Sequence, residues 1–329
     1  MQSQFRHFAS LLLMLVSGVS CLTTPSLPAG EPQWGAPEES LAPADDPNPH
    51  MMASEPHLEG AVTAPTAAFS CGDIPEKVDL SQHDTRPKVQ YGGRCSSYGL
   101  IAAMENRAKQ MKLRLNEKDT LDLSETHLFW AQRFKYSSPV ALATASKIAI
   151  MDEEFWREDN YAGIRRKILH RLWGHPDARA VNTEGLQLER FTQIHQETQG
   201  GIAPLTQQQF CTALRALADG KPLYMALSVN GSLYQLDSPV QANGPETGGH
   251  AVAVVGYELK REGASSPLNG TFLIKNSWGA LKPESKRVDG VRAGYQNLPF
   301  SYCWTDDKYC GLWAIDSVKV QKVTRVFRP

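Results

Sequence analysis

The 329-residue sequence predicts an α+β fold of two lobes, helical in its first part and strand-rich in its second. Two observations carry this expectation. Apolar residues recur at helical spacing in several segments before Gly220, and strand-type runs bounded by turn residues dominate after it. No internal repeat is present.

The elements follow in order. Arg6 and His7 precede an apolar run from Phe8 to Val19, and small residues end it at Ser20 and Cys21. A basic start, an apolar core and a small-residue exit predict a secretory signal over 1–20. The run is short for a bilayer span, although an uncleaved anchor is the alternative reading. Cys21 after Gly18-Val19-Ser20 adds a further possibility, a lipid-bearing N-terminus that tethers the protein to a membrane. Residues 21–70 are rich in Pro, Ala, Glu and Ser and hold nine prolines. Such a segment cannot bury enough surface to offset its chain entropy, so it reads as a disordered linker. The folded domain is expected over 71–329.

Within that domain the segment 95–109 carries Leu100, Ile101 and Met104 at helical spacing. The segment 124–134 opens with Ser124, an N-cap, followed by an acidic first turn. The segment 152–173 carries Phe155, Trp156, Ile164, Ile168, Leu169 and Leu172 and reads as helical, in one or two pieces. A further helix over 206–218 is closed by Gly220. Strands are expected at 222–229, 250–258, 271–275, 311–318 and 321–327.

Composition narrows the function. The formal net charge is -1, with 41% hydrophobic and 21% charged residues. Nothing there fits a polyanionic partner, so no nucleic-acid role is expected. No HExxH, paired CxxC or glycine-rich phosphate loop is present, so no metal or organic cofactor is expected.

Three segments carry chemistry. In 89–105 a glycine-containing loop leads into a helix whose first residue is Cys95. Free N–H groups and the positive dipole end there favour a thiolate, although a lone cysteine at such a place is more often a small buried residue. In 248–258 His250 opens an apolar strand after two glycines. In 271–280 an apolar strand ends in Asn276, followed by Ser277, Trp278 and Gly279. An asparagine amide can accept the imidazole N–H, and an indole can shield that bond from water. Singly, each segment has an ordinary structural reading.

Together, in the order Cys, His, Asn, they resemble the papain-like cysteine peptidases. HAVAVVGY and IKNSWG are close to that family's wording. DIPEKVDL at 73–80, LSETHLFW at 123–130, GKPLYMALSV at 220–229 and GYQNLPFSY at 294–302 extend the resemblance over most of 73–302. It implies a papain-like two-lobed fold with the active site in the cleft between the lobes. It also implies Cys95 as nucleophile, His250 as acid and base, Asn276 as the residue that orients the histidine, and Gln90 as an oxyanion donor beside the Cys95 N–H. The expected function is a cysteine-type endopeptidase, a hydrolase acting on peptide or protein substrates as a monomer outside the cytoplasm.

Departures from the family pattern are visible. Ser96 follows the nucleophile position where an aromatic residue is usual. Gly92 stands where a second cysteine is often found, and Gln90 is one residue closer than usual. A competing register would make Cys95 the structural cysteine and put Tyr98 at the nucleophile position. Tyr98, the small residues after it and Glu105 fit the family helix only with Cys95 as nucleophile. An inactive binding protein of the same fold, and an acyltransferase or deamidase with the same machinery, are the competing functions.

The segment 140–201 has no clear counterpart and is expected to be enlarged and helical, with Gly200 and Gly201 as candidates for the family's substrate-binding glycines. Among the other cysteines, Cys303 and Cys310 lie close together in a polar loop and are the expected bridge in an exported protein. A Cys71–Cys211 pair is open by elimination only; four free thiols are the alternative. Asn230-Gly-Ser and Asn269-Gly-Thr fit the glycosylation pattern.

Overall fold

A computed structural model describes residues 71–90, 93–133, 135, 137–156, 178–195, 205–234, 240–242, 244–260, 269–278, 294–303 and 310–325. The expected signal segment, the linker and the Gly200–Gly201 pair lie outside the described residues, as does the greater part of the helix expected over 152–173.

The described chain runs β1 (Lys77–Asp79), α1 (Cys95–Gln110), α2 (Glu125–Ala131), α3 (Ser138–Ala145), β2 (Ile150–Met151), β3 (Glu184–His195), α4 (Gln207–Ala218), β4 (Leu223–Asn230), β5 (Glu246–Leu259), β6 (Gly270–Lys275), β7 (Tyr295–Pro299) and β8 (Cys310–Lys322). Short 3-10 turns link some of them. The strands form one eight-stranded sheet in the order β2-β3-β8-β4-β5-β6-β7, with β1 paired to β5. All described pairings are antiparallel. This is the expected α+β class.

Local chemistry explains the helix limits. Ser124 Oγ accepts the N–H of His127 at 3.1 Å and starts α2. Thr206 and Gln209 form a reciprocal capping box at the start of α4. Gly220 then takes a φ of 76°, the left-handed conformation that ends a helix cheaply. β4 is buried along its whole length, which suits its central place in the sheet.

α1 is buried on almost every side, and it lies across β5. Gly99 makes that approach possible: a Cβ there would sit 2.9 Å from the backbone of Ala251 and Val252. The glycine thus sets the distance between the helix that begins at Cys95 and the strand that holds His250.

Two expectations need correction. The segment 140–201 is not helical throughout. α3 occupies its start, but 184–195 is a twelve-residue strand. Residues 189–193 of β3 are exposed, so they lack the apolar face that marks a strand, and the ribbon it forms with β8 carries bulges that interrupt its period. Of the helix expected over 152–173 the described residues hold one 3-10 turn, Glu153–Phe155, capped by Asp152. The strands expected at 311–318 and 321–327 are parts of one strand that ends at Lys322.

The cysteines pair as Cys71–Cys211 and Cys303–Cys310, leaving Cys95 as the free thiol among the described residues. Asn230 is fully buried, with Nδ2 donating to Gln241 O and Oδ1 accepting from Ser232. Its sequon is closed to modification in the folded chain.

Candidate active site

The site is built where α1, β5 and the turn after β6 meet. Cys95 is the first residue of α1, and no acidic residue follows in the first turn to offset the dipole. Arg94 supplies no side-chain cap to the first amides of the helix. The thiol receives hydrogen bonds from the backbone of Ala251, Ser96 and Cys95 itself. Ala251 adjoins His250, so the helix start and the histidine strand meet at this point.

His250 is 5% exposed. Its Nε2 lies 2.9 Å from Asn276 Oδ1. The Trp278 ring stacks on the imidazole with centroids 4.2 Å apart and planes 22° apart, covering that bond. Asn276 is 2% exposed, and its Oδ1 also accepts the Ser277 N–H at 2.8 Å.

Gln90 comes to the same place from the loop before α1. Its N–H donates to Ser277 O at 2.6 Å, and its Oε1 accepts from Ser277 Oγ at 2.5 Å. An isolated bridge between Val89 and Trp278 adds a further tie. Cys95, His250, Asn276 and Gln90 are therefore gathered by one helix start, one strand and one turn.

Burial raises the Cys95 thiol above its ordinary value, against the three backbone hydrogen bonds. Burial also lowers the His250 imidazole to about 4, against the bond to Asn276. The two shifts move apart, so the pair holds one proton over a wide span of pH.

Sequence reasoning missed two partners. Ser96, which stands where an aromatic residue was expected, is buried and lies 3.4 Å from Gln132 Oε1, while Gln132 Nε2 donates to Ser97 at 3.1 Å. Gln296 on β7 accepts from Asn276 Nδ2 at 2.7 Å. Neither has a local signal, because both act across the fold. A cavity of about 20 Å³ adjoins the site, lined in part by Ala102, Glu105, Glu125, Lys88, Asn276 and Ser277. That is room for about one water molecule.

Comparison with known proteins defines the class. The family model for papain family cysteine proteases matches residues 74–285, more than half of the chain. The chain belongs to that family, and its class is that of the cysteine peptidases acting on peptides or proteins. Among solved structures it is similar to xylellain, a cysteine protease from Xylella fastidiosa. The two share 20% identity and a TM-score of 0.52, over 76% of this chain and 88% of that one. It is also similar to the bromelain protease of Ananas comosus, with 17% identity and a TM-score of 0.46 over 73% and 99% of the two chains. A digestive procathepsin L 3 of Tenebrio molitor larval midgut has 16% identity and a TM-score of 0.46 over 76% and 72%. No curated protein sequence matches the chain.

Proposed function

We propose that the protein is an exported endopeptidase that cleaves peptide bonds through Cys95, His250 and Asn276. The observation that carries this reading is the His250–Asn276 bond of 2.9 Å under Trp278, formed beside the helix that begins with the free thiol of Cys95. In this reading the Cys95 thiolate attacks the substrate carbonyl carbon and forms a thioester. The His250 imidazolium gives its proton to the departing amine, then takes a proton from the water that hydrolyses the thioester. Asn276 holds the ring, in the role the third member has in serine triads. The N–H of Cys95 and the side-chain amide of Gln90 meet the developing oxyanion.

The domain layout accompanies this reading: a signal over 1–20, a linker over 21–70 and a peptidase domain over 71–329. The two disulfides fit an oxidising compartment outside the cytoplasm. Lipidation at Cys21 would tether a monomeric enzyme to a membrane surface while the linker leaves the domain free to meet substrate.

The test is hydrolysis of a quenched fluorescent peptide library by the purified protein and by Cys95→Ala. Turnover by the first and none by the second is expected. Equal turnover, or none from a folded protein, overturns the reading.

A further inference from the structure

We infer that Gln296 is a positioning residue that fixes which end of the Asn276 amide faces His250. The inference rests on the peptidase reading above and concerns a residue outside the expected triad.

The oxygen and nitrogen ends of an asparagine have nearly the same shape, and only their partners decide the orientation. In this site Nδ2 of Asn276 donates to Gln296 Oε1 at 2.7 Å, and Nε2 of Gln296 donates to Leu233 O at 3.1 Å. Leu233 O is a backbone carbonyl and can only accept. It therefore dictates that Gln296 presents its oxygen to Asn276, and hence that Asn276 presents its oxygen to His250. The Ser277 N–H, which can only donate, acts on Asn276 in the same sense.

The consequence reaches the ring. Asn276 Oδ1 accepts from Nε2 of His250, so Nε2 carries the proton and the neutral ring keeps Nδ1 as its basic nitrogen. Gln296 is 5% exposed, Asn276 2% and Leu233 fully buried, so water is poorly placed to replace a lost partner. β7 holds Gln296 there through its pairing with β6, where Gln296 lies opposite Ile274.

The test compares Gln296→Met, similar in size and without hydrogen-bonding ends, with the native protein, Asn276→Ala and the double variant. Peptide hydrolysis and thermal melting are measured for each. Gln296→Met is expected to lower kcat about tenfold with KM within about twofold, the size typical of partners that orient a reacting group. In the Asn276→Ala background the same change is expected to lower kcat no further, because Gln296 acts through Asn276. An equal loss in both backgrounds, or no loss in either, overturns the inference and leaves the triad standing. A native protein without turnover overturns both.

Gln296→Glu serves if the methionine variant does not fold. Its protonated carboxyl keeps the oxygen for Asn276 and an O–H for Leu233 O. Activity close to native is expected, because either form of the carboxyl keeps an acceptor for Asn276 Nδ2. A loss from the folded variant as large as that of Asn276→Ala overturns the inference.

Discussion

Two buried polar regions lie on either side of the small cavity behind α1, and they are built on opposite principles. The site turn joins Gln90, His250, Asn276, Ser277 and Gln296 through neutral hydrogen bonds, each with an assigned donor and acceptor. The other region is ionic. Lys88 lies 2.6 Å from Asp122, 2.8 Å from Glu125 and 3.1 Å from Glu153, and it also donates to Leu123 O. Burial alone would lower the Lys88 ammonium, but the carboxylates of Glu125, Glu105, Glu153 and Asp122 outweigh it and hold it well above its ordinary value. The neutral network fixes direction and so positions a ring. The ionic cluster fixes only proximity, and its role is to lock the loop that carries Gln90 to the start of α2.

Removing the hub of the ionic cluster should have the largest effect on folding. Lys88→Met strands buried carboxylates, and a loss of about 3–5 kcal/mol is expected at pH 7 by denaturant melting. Part of it should return in mild acid, where Glu153, itself raised by burial, can take up a proton. A loss below about 1 kcal/mol would mean that the cluster is solvated in practice.

Removing a donor from the neutral network should act on rate instead. Gln90→Ala is expected to lower kcat about a hundred- to thousandfold with little change in melting. A change confined to KM would assign Gln90 to substrate binding.

The pH dependence of stability separates the buried titratable groups by sign. His127 and His250 are both lowered to about 4 by burial, from an ordinary 6.5. Between these values the unfolded chain binds the proton, so stability rises with pH there. Acidification from 6.5 to 4 should cost up to about 3 kcal/mol per histidine. Glu125 runs the other way. Burial raises it to about 8, Lys88 opposes this, and Glu105 and Glu153 add to it. Its proton is held in the fold and released on unfolding between about 4.5 and 8, so its contribution is complete at low pH and is lost as pH rises through 8. Chemical denaturation at several pH values should therefore show a maximum, and Glu125→Gln should flatten the alkaline side. At pH 7 that variant should change stability by less than about 1 kcal/mol, the smallest effect of the set, because the native carboxyl already carries its proton. An unchanged alkaline slope would place the proton elsewhere in the cluster.

These contrasts also account for what the sequence made legible. Cys95 at a helix start, the cap at Ser124, the helix from Thr206 with its stop at Gly220, and the cores of β4, β5 and β6 are local patterns, and they read correctly. The α+β class and the family followed from them. β3 did not read, because residues 189–193 are exposed and its pairing with β8 bridges more than a hundred residues. The Lys88 cluster was invisible for a related reason. Asp122, Glu125 and Glu153 converge through the bridge between Leu123 and Asp152, a contact that no short window contains. Gln296 meets Asn276 only because β7 folds back beside β6. The candidate triad could be named from three motifs, whereas the residues that orient it required the sheet.

The central claim is that Cys95 and His250 share one proton in a working pair. Its most direct test is the rate of Cys95 alkylation by a peptidyl epoxide across pH 3–10, mapped by mass, for the native protein and His250→Ala. The account predicts labelling at Cys95 over a broad plateau whose acid edge lies near 4 and whose alkaline edge lies above the ordinary thiol value, collapsing to a simple thiol titration in His250→Ala. A native profile that already follows a lone thiol, indifferent to His250, would contradict it.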